Sequence, residues 1–78
     1  MSVLIVDDHP AMRTTMFDIL KDAGFLVMTA ELAEEAVQLC AENSFDIVLM
    51  DVQMSGMTGV EAFRQIRKNS QETPHFIF

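Results

Sequence analysis

Seventy-eight residues allow one small domain, and at this size a folded chain buries only about 60% of its extended surface, so its stability is marginal. Half the residues are apolar, Gly and Pro are few and 22% are charged, which is the composition of a globular chain rather than a disordered one. The net charge of −7 with five basic residues argues against nucleic-acid binding, whose affinity rests on Lys and Arg. The lone Cys40 rules out an internal disulfide framework or a cysteine-rich zinc site. No stretch nears the roughly 18 to 20 apolar residues of a membrane span, and the N-terminus lacks a signal-peptide pattern, so a cytoplasmic protein is expected.

The first element is the apolar run Val3-Leu4-Ile5-Val6, which reads as a strand buried on both faces, as in a parallel sheet. From Pro10 to Ala23, Met12, Met16, Ile19, Leu20 and Ala23 recur at helical spacing, with Arg13, Asp18, Lys21 and Asp22 on the other side, which predicts an amphipathic helix. Pro10 suits its first position and Gly24 the left-handed position beyond its end. A short strand over Phe25–Thr29 follows, then a helix over Ala33–Glu42 that places Ala33, Ala36, Val37, Cys40 and Ala41 on one face before Asn43-Ser44 ends it. Cys40 reads there as a small core residue. The third strand is Ile47-Val48-Leu49-Met50, and the loop over Asp51–Thr58 leads into a third helix whose inner residues should be Val60, Phe63 and Ile66. Ser70–Pro74 reads as loop, and His75-Phe76-Ile77-Phe78 as the opening of a fourth strand.

Strands alternating with helices of this length imply βαβ units, parallel strands and right-handed crossovers, hence an α/β fold built on a doubly wound parallel sheet. No repeat, low-complexity tract or linker divides residues 1–78. Such a sheet needs helices on both faces, and three helices with an apolar fourth strand leave an uncovered edge. An edge of this kind recruits another chain, which points to a homo-oligomer, while the net charge of −7 opposes one.

Asp7 and Asp8 directly follow the first apolar run, and Asp51 directly follows the third strand. In open α/β sheets ligands sit outside the carboxyl ends of the strands, so these acids should converge at one edge. Like charges gathered without a cation make each other harder to ionise. The arrangement asks for a hard divalent ion, and Mg2+ takes one or two carboxylates, keeps waters and accepts phosphate oxygens.

The string Val3-Leu4-Ile5-Val6-Asp7-Asp8-His9-Pro10, followed by Asp51-Val52-Gln53-Met54-Ser55-Gly56-Met57-Thr58-Gly59, resembles the receiver domain of bacterial two-component response regulators. The resemblance covers all 78 residues. It rests on the acid pair, the later acid at the right distance, the M-x-G-M-x-G loop and the helix pattern taken together. It implies the flavodoxin-like fold with strand order 2-1-3-4-5, here incomplete, so that residues 1–78 would be the N-terminal part of a single receiver domain. It also implies phosphorelay signal transduction, with a sensor histidine kinase as partner, and no enzymatic activity beyond the chain's own phosphorylation and dephosphorylation. By position, Asp51 looks like the phosphoacceptor and Asp8 like the direct Mg2+ ligand. Asp7 looks like the acid that holds the metal through water, and the backbone carbonyl of Gln53 would complete the protein's share of the coordination.

Against the family pattern, Ser55 stands where Pro is usual and Thr58 where an acid is usual. Leu32-Ala33 replaces a polar-Gly pair, which weakens the cap of the second helix. The family's hydroxyl residue after strand four, its Lys after strand five, its switch aromatic and its last two helices would lie beyond Phe78. The expectation is therefore a truncated receiver with impaired or no switching. The alternative function is a fragment that binds metal or self-associates without stable phosphorylation. A haloacid-dehalogenase-type phosphatase would want a second acid where Gln53 stands, and a flavodoxin would want a hydroxyl-rich loop where Asp7-Asp8 stand. His9, beside Pro10, reads as a loop or capping residue, as does His75. Met54 and Met57 read as packing or rim residues, and Glu31, Glu34, Glu35 and Glu42 as a solvated face.

Overall fold

The computed structural model describes residues 1–51, 59–69 and 74–77. Its elements are β1 (Ser2–Val6), α1 (Pro10–Asp22), β2 (Leu26–Ala30), α2 (Ala33–Glu42), β3 (Ile47–Met50), α3 (Gly59–Asn69) and β4 (His75–Ile77). All strand pairs are parallel, in the order β2-β1-β3-β4. This is the doubly wound α/β sheet read from the sequence.

Right-handed crossovers decide which face each helix covers. The step from β1 to β2 runs one way across the sheet, and the steps from β2 to β3 and from β3 to β4 run the other way. Consequently α1 lies on one face, against β1 and β2, while α2 and α3 pack together on the opposite face. The main core forms on that second face, where Leu4 and Val6 of β1 and Val48 and Met50 of β3 meet Ala33, Ala36 and Cys40 of α2 and Ala62 and Ile66 of α3. Small side chains on the helices let them approach the sheet closely. Phe63 and Phe76 tie α3 to β4 edge-to-face, with ring centroids 4.7 Å apart.

Local chemistry sets the element ends. Pro10 opens α1, as expected. At its other end Gly24 sits at φ +96, its N–H donates to Lys21 O and the Phe25 N–H donates to Leu20 O, the paired bonds of a Schellman motif. That closure holds Phe25 outside the sheet, so β2 begins at Leu26 and runs one residue beyond the predicted Thr29. Leu32 offers no side-chain acceptor to cap α2, but Glu35 Oε1 reaches back to accept the Leu32 N–H at 3.2 Å, which restores half of a capping box. At the N-terminal edge of the sheet, the Asp46 carboxylate accepts the Ser2 N–H at 2.8 Å and the Ser2 hydroxyl at 3.2 Å. Those bonds, the backbone one foremost, hold the Asp46 carboxyl below the usual carboxylate range.

Three helix faces differ from the predicted ones. No residue of α1 is fully buried, and Met12 and Ile19, expected inside, are exposed. The helix is turned so that Arg13, Met16, Phe17 and Leu20 are its half-buried residues. In α3 the buried residues are Gly59, Ala62 and Ile66, and Val60 is 60% exposed. In α2, Ala41 is exposed, and Leu39 packs against the core with Val37. The α1 face also carries a groove of about 270 Å³ running from Asp7 and Asp51 past Ile5, Met16 and Leu49 to Ile77.

Candidate functional site

The topology determines where a site can form. β1 connects onward to β2 on one side, and β3 connects onward to β4 on the other, so the C-terminal ends of β1 and β3 flank the switch point where ligands bind in open sheets. Asp7 and Asp51 stand at those two ends. The sheet's hydrogen bonding reaches both of them: the Asp7 N–H donates to Ala30 O at 3.1 Å, and the Asp51 N–H donates to Val6 O at 3.0 Å. The backbone under each carboxylate is thus part of the ladder rather than of a free loop.

One carboxylate oxygen each from Asp7, Asp8 and Asp51, together with a ring nitrogen of His9, lie within 4.8 Å of one another. The three acids predicted from sequence are therefore brought together. Gln53, whose carbonyl was the fourth expected metal ligand, lies outside the described residues, as do Ser55, Thr58, Met54 and Met57. Asp7 is the one charged side chain among the described residues that is buried. Asp8 Oδ1 is buried too and accepts no hydrogen bond among the described residues, because His9 Nδ1, 3.0 Å away, is taken by Asp7 Oδ1. A carboxylate oxygen taken out of water without a donor is costly, and a cation beside it would remove that cost. An all-oxygen carboxylate set fits Mg2+ by donor chemistry.

Two residues contribute in ways the sequence reading missed. Arg13 was placed on the outer side of its helix, yet its Nη1 donates to the Asp7 backbone carbonyl at 2.7 Å. The guanidinium thereby braces the turn that presents the acid pair. His9 does stand at the N-cap of α1, without a side-chain capping bond. Its backbone N–H donates to Asp7 Oδ1 at 2.9 Å, and its side chain, though 69% exposed, brings one ring nitrogen to the acids. Nδ1 lies 3.0 Å from Asp7 Oδ1, 3.0 Å from Asp8 Oδ1 and 3.6 Å from Asp51 Oδ2. That nitrogen carries at most one hydrogen, so it serves one carboxylate at a time. The hydrogen bond to Asp7, then the charges of Asp8, Asp7 and Asp51, raise the imidazole above its ordinary value. The apolar run before Asp7 gave no sign of either contact; the spacing of Arg13 one helical turn past His9 was the available hint. Cys40 is in the core as predicted, and burial pushes its thiol up to about 11. Among the described residues no helix is long and apolar enough to cross a membrane.

Comparison with known proteins agrees with this geometry. A family model described as "Response regulator receiver domain" matches residues 3–78. The response regulator UvrY of Escherichia coli is 38% identical over 73 residues, which covers 91% of this chain and 34% of that protein. The chain thus spans about a third of the length of that curated relative. Among solved structures, the response regulator protein TrrA of Thermotoga maritima in complex with Mg(2+)-BeF superposes with a TM-score of 0.79 at 36% identity, covering 86% of this chain and 58% of that one. A complex of histidine kinase ThkA with TrrA gives a TM-score of 0.84 at 32% identity, covering 96% of this chain and 64% of that one.

Proposed function

We propose a phosphoacceptor function from one premise: the chain belongs to the response regulator receiver domain family. In this reading it is the N-terminal part of a single receiver domain that takes a phosphoryl group on Asp51 from a sensor histidine kinase in the cytoplasm. Asp7, Asp8 and Asp51, with the backbone carbonyl of Gln53, would hold Mg2+. The observation that carries the reading is the meeting of the three carboxylates at the switch point between β1 and β3. TrrA, a similar protein, has been crystallised both with Mg(2+)-BeF and with a histidine kinase, which supports the same cation and the same class of partner here.

A carboxylate oxygen of Asp51 attacks phosphorus in line, the new P–O bond forming as the P–N bond to the kinase histidine breaks. The electron pair leaves with that imidazole, which then takes up a proton. Bound Mg2+ supplies charge neutralisation between the acids and the phosphoryl oxygens. The chain's own residues hold the reacting groups in place. Val6 O fixes the backbone of Asp51, and Ala30 O and the Arg13 guanidinium fix that of Asp7. The chain acts on no substrate but itself, so we class it as a signalling module rather than an enzyme. The β4 edge is the surface through which it would self-associate.

The test is incubation with a small phosphoramidate donor, with and without Mg2+, read by intact mass. One Mg2+-dependent phosphoryl adduct on the parent and none on Asp51→Asn is the expected result. An adduct that persists in Asp51→Asn, or a parent that takes no phosphoryl group while binding Mg2+, would overturn the assignment.

A further inference from the structure

We propose that His9 is a ligand to the divalent cation held by Asp7, Asp8 and Asp51, and that it turns this site's preference from Mg2+ toward nitrogen-accepting metals such as Co2+ and Zn2+. The inference rests on the metal reading given above.

His9 Nδ1 lies 3.0 Å from both Asp7 Oδ1 and Asp8 Oδ1, and 3.6 Å from Asp51 Oδ2. Adjacent ligands of an octahedral shell with bonds of about 2.1 Å stand about 3.0 Å apart. Nδ1 therefore has the spacing of a neighbouring ligand to Asp8 Oδ1, the direct metal ligand of the pair. A tetrahedral shell of similar bonds has edges of about 3.4 Å, and the 3.6 Å separation from Asp51 Oδ2 lies closer to that edge than to the octahedral one.

The ring is 69% exposed, on a backbone that is anchored. Pro10 starts α1 immediately after it, the His9 N–H is held by Asp7 Oδ1 at 2.9 Å, and the His9 carbonyl accepts the first helical bond, from the Arg13 N–H at 3.0 Å. The backbone that carries the ring is thus fixed on both sides, by one of the metal-binding acids and by the helix. Ligation uses the Nδ1 lone pair, so the ring's hydrogen resides on Nε2. His9 Nδ1 and Asp8 Oδ1 then meet at one cation, while Asp7 Oδ1 keeps the His9 N–H and holds the metal through water. Mg2+ takes oxygen ligands and keeps its waters, so it gains little from an imidazole. Co2+ and Zn2+ accept imidazole nitrogen readily. Even a bare carboxylate site favours the transition ions, and the diagnostic quantity is how much of that preference depends on His9.

Calorimetric titrations of Mg2+ and of Co2+ into the parent, His9→Ala and Asp8→Asn decide the matter. Loss of outer-shell partners alone costs metal affinity about 10- to 100-fold, so removal of a ligand should weaken Co2+ binding at least about tenfold in His9→Ala. Mg2+ binding should stay level or tighten, and Asp8→Asn should weaken both metals. An unchanged ratio of Co2+ to Mg2+ affinity in His9→Ala overturns the role of His9 while leaving the acidic site standing. A parent that binds neither metal overturns the metal reading and this inference with it. Imidazole nitrogen resonances of the parent during a Zn2+ titration give a readout free of any folding defect in the variant. His9 Nδ1 should shift as a metal-bound nitrogen, and a signal that does not move contradicts the inference.

Discussion

Arg13→Ala should destabilise the protein far more than its place on a largely exposed helix suggests. The guanidinium Nη1 donates to the Asp7 carbonyl at 2.7 Å, a short bond from a charged donor that joins α1 to the end of β1. Hydrogen bonds to charged groups contribute about 1.5–3 kcal/mol. The bond is part-buried, so water recovers some of the loss, and the lower part of that range, about 1.5–2 kcal/mol, applies. In a domain of this size each kcal/mol moves the melting midpoint by about 4–8 °C, so a fall of roughly 6–16 °C is expected. The chain has no Trp or Tyr, so the melt is best followed by far-UV circular dichroism. Arg13→Lys should recover only part of the loss, because a single ammonium on a different stem replaces the planar fork. Met12→Ala, one residue away at a site 54% exposed, should change little. An Arg13→Ala protein that melts with the parent would refute the bracing role.

Within α3, Ile66→Ala removes a side chain that is 1% exposed and should cost about 2–5 kcal/mol. Val60→Ala should stay within about 0.5 kcal/mol, and equal losses in urea melts would show that the helix faces the sheet as the sequence periodicity suggested. Asp46 adds a pH dependence. Its folded value is depressed by the Ser2 N–H bond, so its contribution is present above the unfolded value of about 3.9 and is lost as pH falls through the lower folded value. Asp46→Asn should therefore flatten the acid limb of the stability profile and leave its slope near neutrality unchanged; an acid limb identical to the parent's would contradict the bond.

The order and type of every element, and the convergence of Asp7, Asp8 and Asp51, were legible because they depend on coarse signals. Apolar runs mark the strands, Pro10 and Gly24 bound α1, and an acid after a buried strand must emerge at its carboxyl end. The helix faces were less legible. Two overlapping apolar stripes run along α1, and periodicity alone does not say which one meets the sheet. Hydrophobicity favoured Val60 over Gly59 and Ala62 in α3, whereas close approach favoured the small residues. The polar contacts of Arg13 and His9 were missed for a different reason. Their side chains reach the Asp7 carbonyl and the acid cluster through a turn held by Asp7 accepting the His9 N–H, an Asx-turn bond that an Asp at this spacing permits but does not dictate.

Three carboxylates held together as a cation site should reveal themselves in a thermal melt in excess Mg2+ against chelator, with Asp8→Asn alongside. Mg2+ at about ten times its dissociation constant stabilises by roughly 1.4 kcal/mol, which in so small a domain raises the midpoint by several degrees. The midpoint should rise in the parent and stay level in Asp8→Asn. A cooperative melt that ignores Mg2+ in the parent, or one raised equally in Asp8→Asn, would contradict such a site.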